Sequence, residues 1–284
     1  MAESENTPFS ISTDPRAHER RIISTVSSAG TVVHIRHVDE DGRTLEWNAR
    51  WHRRRRQHER TADRTVSWWL SALFLVGAAL FICGGVLAYT DTGRLADWAN
   101  LAGSIPFSGG AILAVVEANR ACARLACGPG VKGLWSTTGG RAAIIQVVSA
   151  VGFFQIAMVA AMFGSLDWVT TDIWLWTTST IGSVGFVVSG WMYVAEANPA
   201  DDIGTRSTRV NLLGSVCFLV GSVAGYFSAG TVRIPTNDIT TPAFLIGAIA
   251  FTVGSALGLA ELRQPLRDHQ TIAHPGLIAE LPSR

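Results

Sequence analysis

Residues 103–117 read GSIPFSGGAILAVVE, and a matching spacing occurs at 182–196 (GSVGFVVSGWMYVAE) and at 247–261 (GAIAFTVGSALGLAE). Each stretch starts with glycine, carries phenylalanine four residues later and ends with glutamate fourteen residues after the glycine. These positions lie on one side of an α-helix, so each helix presents a small residue, an aromatic ring and a carboxylate to the same neighbours. The pattern predicts a helical bundle built by internal repetition.

The three stretches belong to a larger set of uncharged segments. A membrane-spanning helix needs about 20 mostly apolar residues. Segments of this kind, without Asp, Glu, Lys or Arg, cover Val66–Tyr89, Trp98–Val116, Ala142–Gly164, Ile173–Ala195, Val210–Gly230 and Pro242–Ala260. The sequence therefore predicts an all-α integral membrane protein with six transmembrane helices.

The six helices are expected to pair as three tandem hairpins, because glutamate recurs only on the second helix of each pair. The transmembrane hairpins cover 66–118, 142–197 and 210–262. Residues 1–65 form an N-terminal segment before them, and residues 263–284 form a tail.

The basic residues predict the orientation. Of the 23 lysines and arginines, all except Arg94 and Arg233 lie before the first span, between hairpins or after the last span. Basic residues accumulate on the cytoplasmic side of membrane proteins. We therefore expect a protein of the inner (plasma) membrane with its N- and C-termini in the cytoplasm.

The N-terminal segment has its own local signals. Asp14-Pro15 is typical of a helix start and predicts a short helix over 16–27. The β-forming runs Thr31–Val38 and Arg43–Asn48 flank the turn residues Asp-Glu-Asp-Gly, which predicts a β-hairpin.

Arg53, Arg54, Arg55 and Arg56 form a basic run next to the first span. The favoured interpretation is an anchor that fixes the position of the first helix. The alternative is contact with anionic lipid headgroups, which attract juxtamembrane arginines. Binding of nucleic acid is not expected, because the membrane surface would compete for the same charges.

Small residues and phenylalanines predict the surfaces on which the helices pack. In lipid, helices associate through close contact between small residues and through interhelical hydrogen bonds. The predicted packing positions are Gly103, Gly182, Gly214 and Gly247, with Phe107, Phe186, Phe218 and Phe251 filling the adjoining grooves.

Glu117, Glu196 and Glu261 are the candidate polar site, at the cytoplasmic ends of their helices. The helix dipole disfavours a carboxylate there, so each requires a compensating partner. Arg120, Arg263 or the run 53–56 could supply that partner. Alternatively, the three carboxylates could bind a cation or proton, with the second helix broken at Pro106.

The last hairpin resembles a known family. Leu212–Val223 and Phe244–Leu259, followed by the basic residue Arg263, are similar to the YrhK-like membrane domain. The resemblance is best over residues 209–264. It implies the architecture of a two-helix membrane module, and it implies no activity and no functional residues.

The sequence carries no phosphate-binding loop, no serine elbow and no HExxH motif, so a protein without enzymatic activity, cofactor or metal is expected. The leading hypothesis is a scaffold or interaction module that contacts membrane lipids and a protein partner or a second copy of itself. The alternatives are a small cation- or proton-coupled transporter or channel that uses the three glutamates, and a membrane sensor that uses the N-terminal segment.

Overall fold

The structure is a computed structural model that describes residues 21–28, 31–38, 44–54, 61–90, 93–124, 130–163, 167–197, 203–227 and 236–263. This part of the chain is mainly helical. Its α-helices are α1 (Ala49–Arg54), α2 (Thr61–Ala88), α3 (Gly93–Arg124), α4 (Gly130–Trp135), α5 (Thr138–Val147), α6 (Gln155–Ala161), α7 (Trp168–Thr171), α8 (Thr178–Glu196), α9 (Ile203–Phe227) and α10 (Thr236–Arg263).

Within the described ranges, five helical segments are long and apolar enough to cross a membrane. They are Thr65–Ala88, Arg94–Ala123, Thr138–Ala161, Ile203–Gly225 and Ile239–Arg263. This is the architecture of a multi-pass membrane protein.

The sixth expected span, 173–195, is helical but is not among the five. It lies mostly on α8, which contains three serines, two threonines and three glycines. These residues serve packing. The Ser179 hydroxyl lies 2.7 Å from that of Ser222 on α9, and the Ser183 hydroxyl lies 3.2 Å from the same atom.

A three-stranded antiparallel sheet precedes α1. Its strands are β1 (Arg21–Ser28), β2 (Thr31–Val38) and β3 (Thr44–Asn48), in the order β1-β2-β3. In the register of the second pair, Val38 lies opposite Thr44.

The helix expected over 16–27 is wrong for residues 21–27, which belong to β1, while residues 16–20 lie outside the described residues. The run Ile22-Ile23-Ser24-Thr25-Val26 is rich in β-branched residues, which favour strands. Pairing with β2 outweighs the Asp-Pro start signal.

Two pairs of long helices pack through glycines. A β-carbon on Gly77 of α2 would lie 2.7 Å from the Gly103 carbonyl oxygen of α3, and one on Gly214 of α9 would lie 3.0 Å from the Gly247 carbonyl oxygen of α10. The backbones touch at these two crossings. Larger side chains would separate the helices.

The segment between these pairs is less regular. Val148–Phe154 and Asp172–Thr177 are π-helical, and each adds a wider turn within otherwise α-helical chain. In contrast, α3 continues through Pro106 from residue 93 to 124, so it does not have the break that the transporter alternative uses in the second span. Neighbouring helices tolerate such a proline inside the membrane.

The hydrophobic core lies midway along the bundle. Six phenylalanines form a phenylalanine layer there, and each is at most 6% exposed. They are Phe81, Phe107, Phe154, Phe186, Phe218 and Phe251.

Candidate functional site

Three carboxylates meet at one end of the bundle. Glu117, Glu196 and Glu261 lie in the last turns of α3, α8 and α10 and are 5%, 3% and 0% exposed. These helices run in the same direction, since each is the second of its pair. The spacing of fourteen residues from each glycine therefore brings all three carboxylates to the same level, which we call the glutamate end.

A short helix supplies the opposite charges. Helix α1 follows β3 without a break, and its residues Arg50, Arg53 and Arg54 are 4%, 5% and 7% exposed. Residues separated by three and four positions share one helix face. One face of α1 therefore inserts three guanidinium groups among the three carboxylates, and we call this the arginine–glutamate cluster.

Arg50 makes a two-point contact with Glu261. Its Nη2 donates to Oε2 at 2.8 Å and its Nε donates to Oε1 at 3.2 Å. Arg54 adds a third donor, with Nη1 lying 3.2 Å from the same Oε2. A planar guanidinium matches a carboxylate in this geometry, which makes such pairs strong and directional.

Arg53 connects the two other carboxylates. Its Nη1 lies 2.7 Å from Oε2 of Glu196, and its Nε lies 3.3 Å from Oε2 of Glu117. The guanidinium carbon also lies 5.3 Å from the ring centre of Tyr193, within the range of a cation–π contact. Through Arg53 and Arg54, helix α1 contacts glutamates from α3, α8 and α10.

Neutral polar groups complete the cluster. The Ser67 hydroxyl donates to Oε1 of Glu117, and Nη2 of Arg54 donates to the Ser71 hydroxyl at 2.8 Å. The Asn48 amide, at the end of β3, donates to the backbone carbonyl of Glu196 at 3.4 Å. Buried charges are stable only when partners of this kind satisfy their remaining hydrogen-bonding capacity.

The pKa values of Arg53 and Arg54 shift in opposite directions. Burial alone lowers the pKa of the Arg53 guanidinium, but attraction to Glu196 and Glu117 outweighs it and raises that pKa above its ordinary value. Burial lowers the pKa of Arg54, and attraction to Glu261 only partly offsets this effect. Arg53 is therefore the better stabilised cation of the two, because two carboxylates face it.

A cavity of about 90 Å³ lies between the cluster and the phenylalanine layer. The space is large enough for several water molecules, because each occupies about 10–15 Å³ on this measure. Side-chain hydroxyl and amide groups line it, and they belong to Ser71, Gln146, Ser189, Ser207, Thr208, Asn211, Ser215 and Ser255. Helix α1 covers this cavity at the glutamate end.

The phenylalanine layer closes the other side of the cavity. Phe107 contacts Phe186 and Phe251, with ring centres 5.6 and 5.4 Å apart. Phe154 contacts Phe81 and Phe218 at 5.6 and 5.7 Å. Edge-on contacts join the rings around Phe107 to the rings around Phe154. The ring centres of Phe218 and Phe251, for example, lie 5.2 Å apart, so little space remains between the two sets of rings.

The predicted packing positions all lie at helix crossings. A β-carbon on Gly103, Gly214 or Gly247 would lie within 3.0 Å of a backbone oxygen of the partner helix. One on Gly182 would lie 3.2 Å from the backbone nitrogen of Phe154. The predicted rings Phe107, Phe186, Phe218 and Phe251 are buried in the core.

The expected contact of the basic run 53–56 with lipid headgroups needs correction for Arg53 and Arg54. Arg53 and Arg54 lie inside the bundle against carboxylates, so lipid headgroups cannot contact them in this structure. Arg55 and Arg56 lie outside the described residues. The other partners considered for the glutamates, Arg120 and Arg263, are exposed.

Sequence reasoning missed Arg50, Ser67 and Ser71. The spacing of Arg50, Arg53 and Arg54 was the available signal, because it places three guanidinium groups on one face of a helix. Gly139 and Gly204 were missed too. A β-carbon on Gly139 would collide with Arg53, and one on Gly204 would lie 2.5 Å from Oε1 of Glu261, so the cluster requires glycine at both positions.

Comparisons with protein-family models, curated proteins and solved structures gave no match for this chain. Its function must therefore be argued from the geometry alone. The arginine–glutamate cluster can do one thing directly, which is to join the segment that contains β3 and α1 to three separate long helices, α3, α8 and α10.

Proposed function

We propose that this chain is a six-helix inner-membrane protein of three tandem hairpins that acts as a non-enzymatic scaffold. In this proposal, α8 is the fourth span, both termini are cytoplasmic, and the bundle presents the three-stranded sheet to a cytoplasmic protein partner. The single observation that carries it is the insertion of Arg50, Arg53 and Arg54 among Glu117, Glu196 and Glu261.

The cluster supports a permanent attachment. Removing one member of a buried ion pair costs about 3–5 kcal/mol, because the other charge is left without compensation. Three such residues on a helix of six residues oppose detachment of α1. Since β3 ends at Asn48 and α1 begins at Ala49, the sheet is fixed beside the glutamate end.

The charge distribution supports the orientation. The glutamate end is also the end at which the hairpins are joined, and the sequence segments before, between and after the hairpins contain 21 of the 23 basic residues. Basic segments remain in the cytoplasm. The repeated Gly-Phe-Glu spacing and the resemblance of residues 209–264 to the YrhK-like membrane domain support descent of the three hairpins from one two-helix module.

Trypsin cleavage tests the attachment. In inside-out vesicles the cytoplasmic face is accessible, and cleavage after Arg50, Arg53 and Arg54 can be followed by mass spectrometry. The variant Glu117→Gln/Glu196→Gln/Glu261→Gln retains every arginine but lacks the paired carboxylates. We expect cleavage at these three bonds to be slow in the wild type and more than a hundredfold faster in the variant, because cleavage follows the population of detached α1 and the loss of even one buried carboxylate costs about 3–5 kcal/mol.

Lys132→Gln is the matched control, since Lys132 is exposed on α4. This variant should be cleaved after Arg50, Arg53 and Arg54 at the wild-type rate. Equal rates for the wild type and the triple glutamine variant would contradict the attachment. Cleavage in right-side-out vesicles would contradict the orientation.

A small transporter or channel is the second candidate function. The observation that favours it is a pair of cavities on opposite sides of the phenylalanine layer, of about 90 and 310 Å³. Rearrangement of the rings would connect them. The pairing of each glutamate with arginine weighs against a bound cation at these residues in the described state.

Flux measurements separate the two candidates. A pH-sensitive dye or a cation indicator inside reconstituted vesicles would report transport by the wild-type protein. Flux that disappears in the triple glutamine variant would favour the transporter. Absence of flux in the wild type, together with protection of α1 from trypsin, would favour the scaffold.

A further inference from the structure

A second cavity lies at the end of the bundle opposite the glutamates, and we call it the turn-end pocket. Its volume is about 310 Å³. Cavities that bind small molecules start at about this size and combine apolar walls with a few polar groups. The turn-end pocket does not overlap the arginine–glutamate cluster, and the scaffold function does not use it.

Aromatic rings form much of the wall of the turn-end pocket. Phe81, Phe154 and Phe218 of the phenylalanine layer close its inner side, and Trp176 and Phe244 contribute further rings. The faces of aromatic rings carry partial negative charge and attract cations, with tryptophan the strongest of them. Such a wall accommodates an apolar or aromatic body and also favours positive charge.

Asp97 is the one charged side chain among the described residues that line the turn-end pocket. It lies in the first turns of α3 and is partly buried, and no described charge compensates it. A carboxylate that is partly removed from water is most stable when a cation pairs with it. The pocket therefore excludes anions and favours a single positive charge.

Thr240 provides a second, independent indication of a ligand. Its side chain is 6% exposed, it lines the turn-end pocket, and its hydroxyl has no hydrogen-bond partner among the described residues. A buried hydroxyl without a partner costs free energy unless a ligand or a water molecule satisfies it.

We propose that the turn-end pocket binds a small organic monocation with an apolar, preferably aromatic, body. The cationic group pairs with the Asp97 carboxylate. The Thr240 hydroxyl donates to or accepts from a polar group of the ligand, and the aromatic wall encloses the body. A bare metal ion fits poorly, because the wall offers mostly rings instead of the several oxygen ligands that hard cations require.

Equilibrium dialysis of the full-length protein in lipid nanodiscs tests this proposal. The probe is radiolabelled phenyltrimethylammonium, and the competitors are its neutral isostere tert-butylbenzene and the anion benzenesulfonate. We expect saturable binding of one probe molecule per chain. Neither competitor should displace the probe at equal concentration, because neither offers a cation to Asp97.

Three variants locate the site. Asp97→Asn should weaken probe binding about tenfold or more, the usual effect of losing one ion pair of modest strength. Thr240→Val should leave binding of phenyltrimethylammonium unchanged, because this probe has no hydrogen-bonding group. It should weaken binding of the hydroxylated probe 3-hydroxyphenyltrimethylammonium about threefold, as expected for one lost hydrogen bond. Asp167→Asn is the matched control, since Asp167 is exposed, lies near the same end of the bundle and does not line the pocket.

Other results would overturn the proposal. Equal binding by wild type and Asp97→Asn, or displacement by tert-butylbenzene as effective as by unlabelled probe, would show an apolar site for lipid or detergent. Absence of saturable binding would also refute it. Protection of α1 from trypsin should be normal in all three variants, which shows that each is folded and keeps this test independent of the scaffold function.

Discussion

Glu261 has no exposed surface, and each of its carboxylate oxygens accepts a hydrogen bond from an arginine of α1. A carboxylate at the C-terminal end of a helix is unfavourable on account of the helix dipole. Arg50 and Arg54 compensate this carboxylate. Both of these arginines precede the first span in the sequence.

Glu261→Gln should destabilise the protein by about 3–5 kcal/mol, because it leaves Arg50 and Arg54 buried with too few anionic partners. The free energy of unfolding can be measured by titration with sodium dodecyl sulfate in mixed micelles, with tryptophan fluorescence as the signal.

A double-mutant cycle with Arg50→Gln isolates the pair. The two substitutions together should cost less than the sum of the separate costs, because each removes the partner that the other leaves uncompensated. Lys132→Gln, at an exposed position, should change stability by no more than about 0.5 kcal/mol. An effect of Glu261→Gln as small as that of the control would rule out the cluster geometry.

Helix crossings depend on how closely two backbones approach. At the crossing of α2 and α3, a β-carbon on Gly77 would lie 2.7 Å from a backbone oxygen of Gly103 and 2.9 Å from the backbone nitrogen of Phe107. Backbone atoms cannot move aside as flexible side chains do. The two helices would have to separate along their whole contact.

Gly77→Ala should therefore destabilise the bundle by about 1–3 kcal/mol, the usual cost of overpacking. Gly109→Ala on α3 is the matched control, because its β-carbon would meet only the end of the Leu73 side chain at 3.4 Å. Alanine favours the helix over glycine by up to about 1 kcal/mol, so the control should be neutral or stabilising. The same micelle titration measures the free energy of unfolding of both variants. Equal changes in the two variants would contradict the close backbone contact between α2 and α3 at Gly77.

Much of this element structure was predictable from the sequence. Uncharged stretches and the Gly-Phe-Glu spacing located the long helices, the packing glycines and the three carboxylates. Periodicity of this kind reflects burial, which is a local property of each helix. The position of α1 was not predictable, because it depends on how a helix of six residues meets three others that are distant in sequence.

The errors have local physical causes. Residues 21–27 follow the helix-start signal Asp14-Pro15 but carry β-branched side chains, and pairing with β2 decided in favour of a strand. Pro106 does not break α3, and prolines are in general tolerated inside packed membrane helices. The π-helical segments 148–154 and 172–177 depend on tertiary packing and leave no sequence signal that we recognise.

At the scale of the whole molecule, the two ends of the bundle differ in chemistry. The glutamate end carries buried ion pairs and lies where basic residues concentrate in the sequence, while the opposite end carries the turn-end pocket, with Asp97 as its described charge. This asymmetry fits a protein that performs different tasks on the two sides of a membrane.

Reporter fusions test the arrangement of the entire chain. A reporter enzyme that is active only outside the cytoplasm should be active when fused after Val169 or Asn237 and inactive when fused after Gly130, because the proposed orientation places the basic segments and the glutamate end in the cytoplasm. A reporter active only in the cytoplasm should give the opposite pattern and serves as the control. Activity of the first reporter after Gly130 would contradict the proposed cytoplasmic position of the glutamate end.

The sequence distance within the arginine–glutamate cluster has a consequence for biogenesis. Arg50 and Glu261 are 211 positions apart, and synthesis proceeds from the N-terminus. Helix α1 leaves the ribosome before any hairpin has been inserted, yet its final carboxylate partner is made only with the last transmembrane segment. Arg50 therefore lacks Glu261 through most of translation, whereas Arg53 can pair with Glu117 and Glu196 as soon as those residues have been made. The cluster is completed only at the last step of assembly, although its arginines are made before every helix that they join.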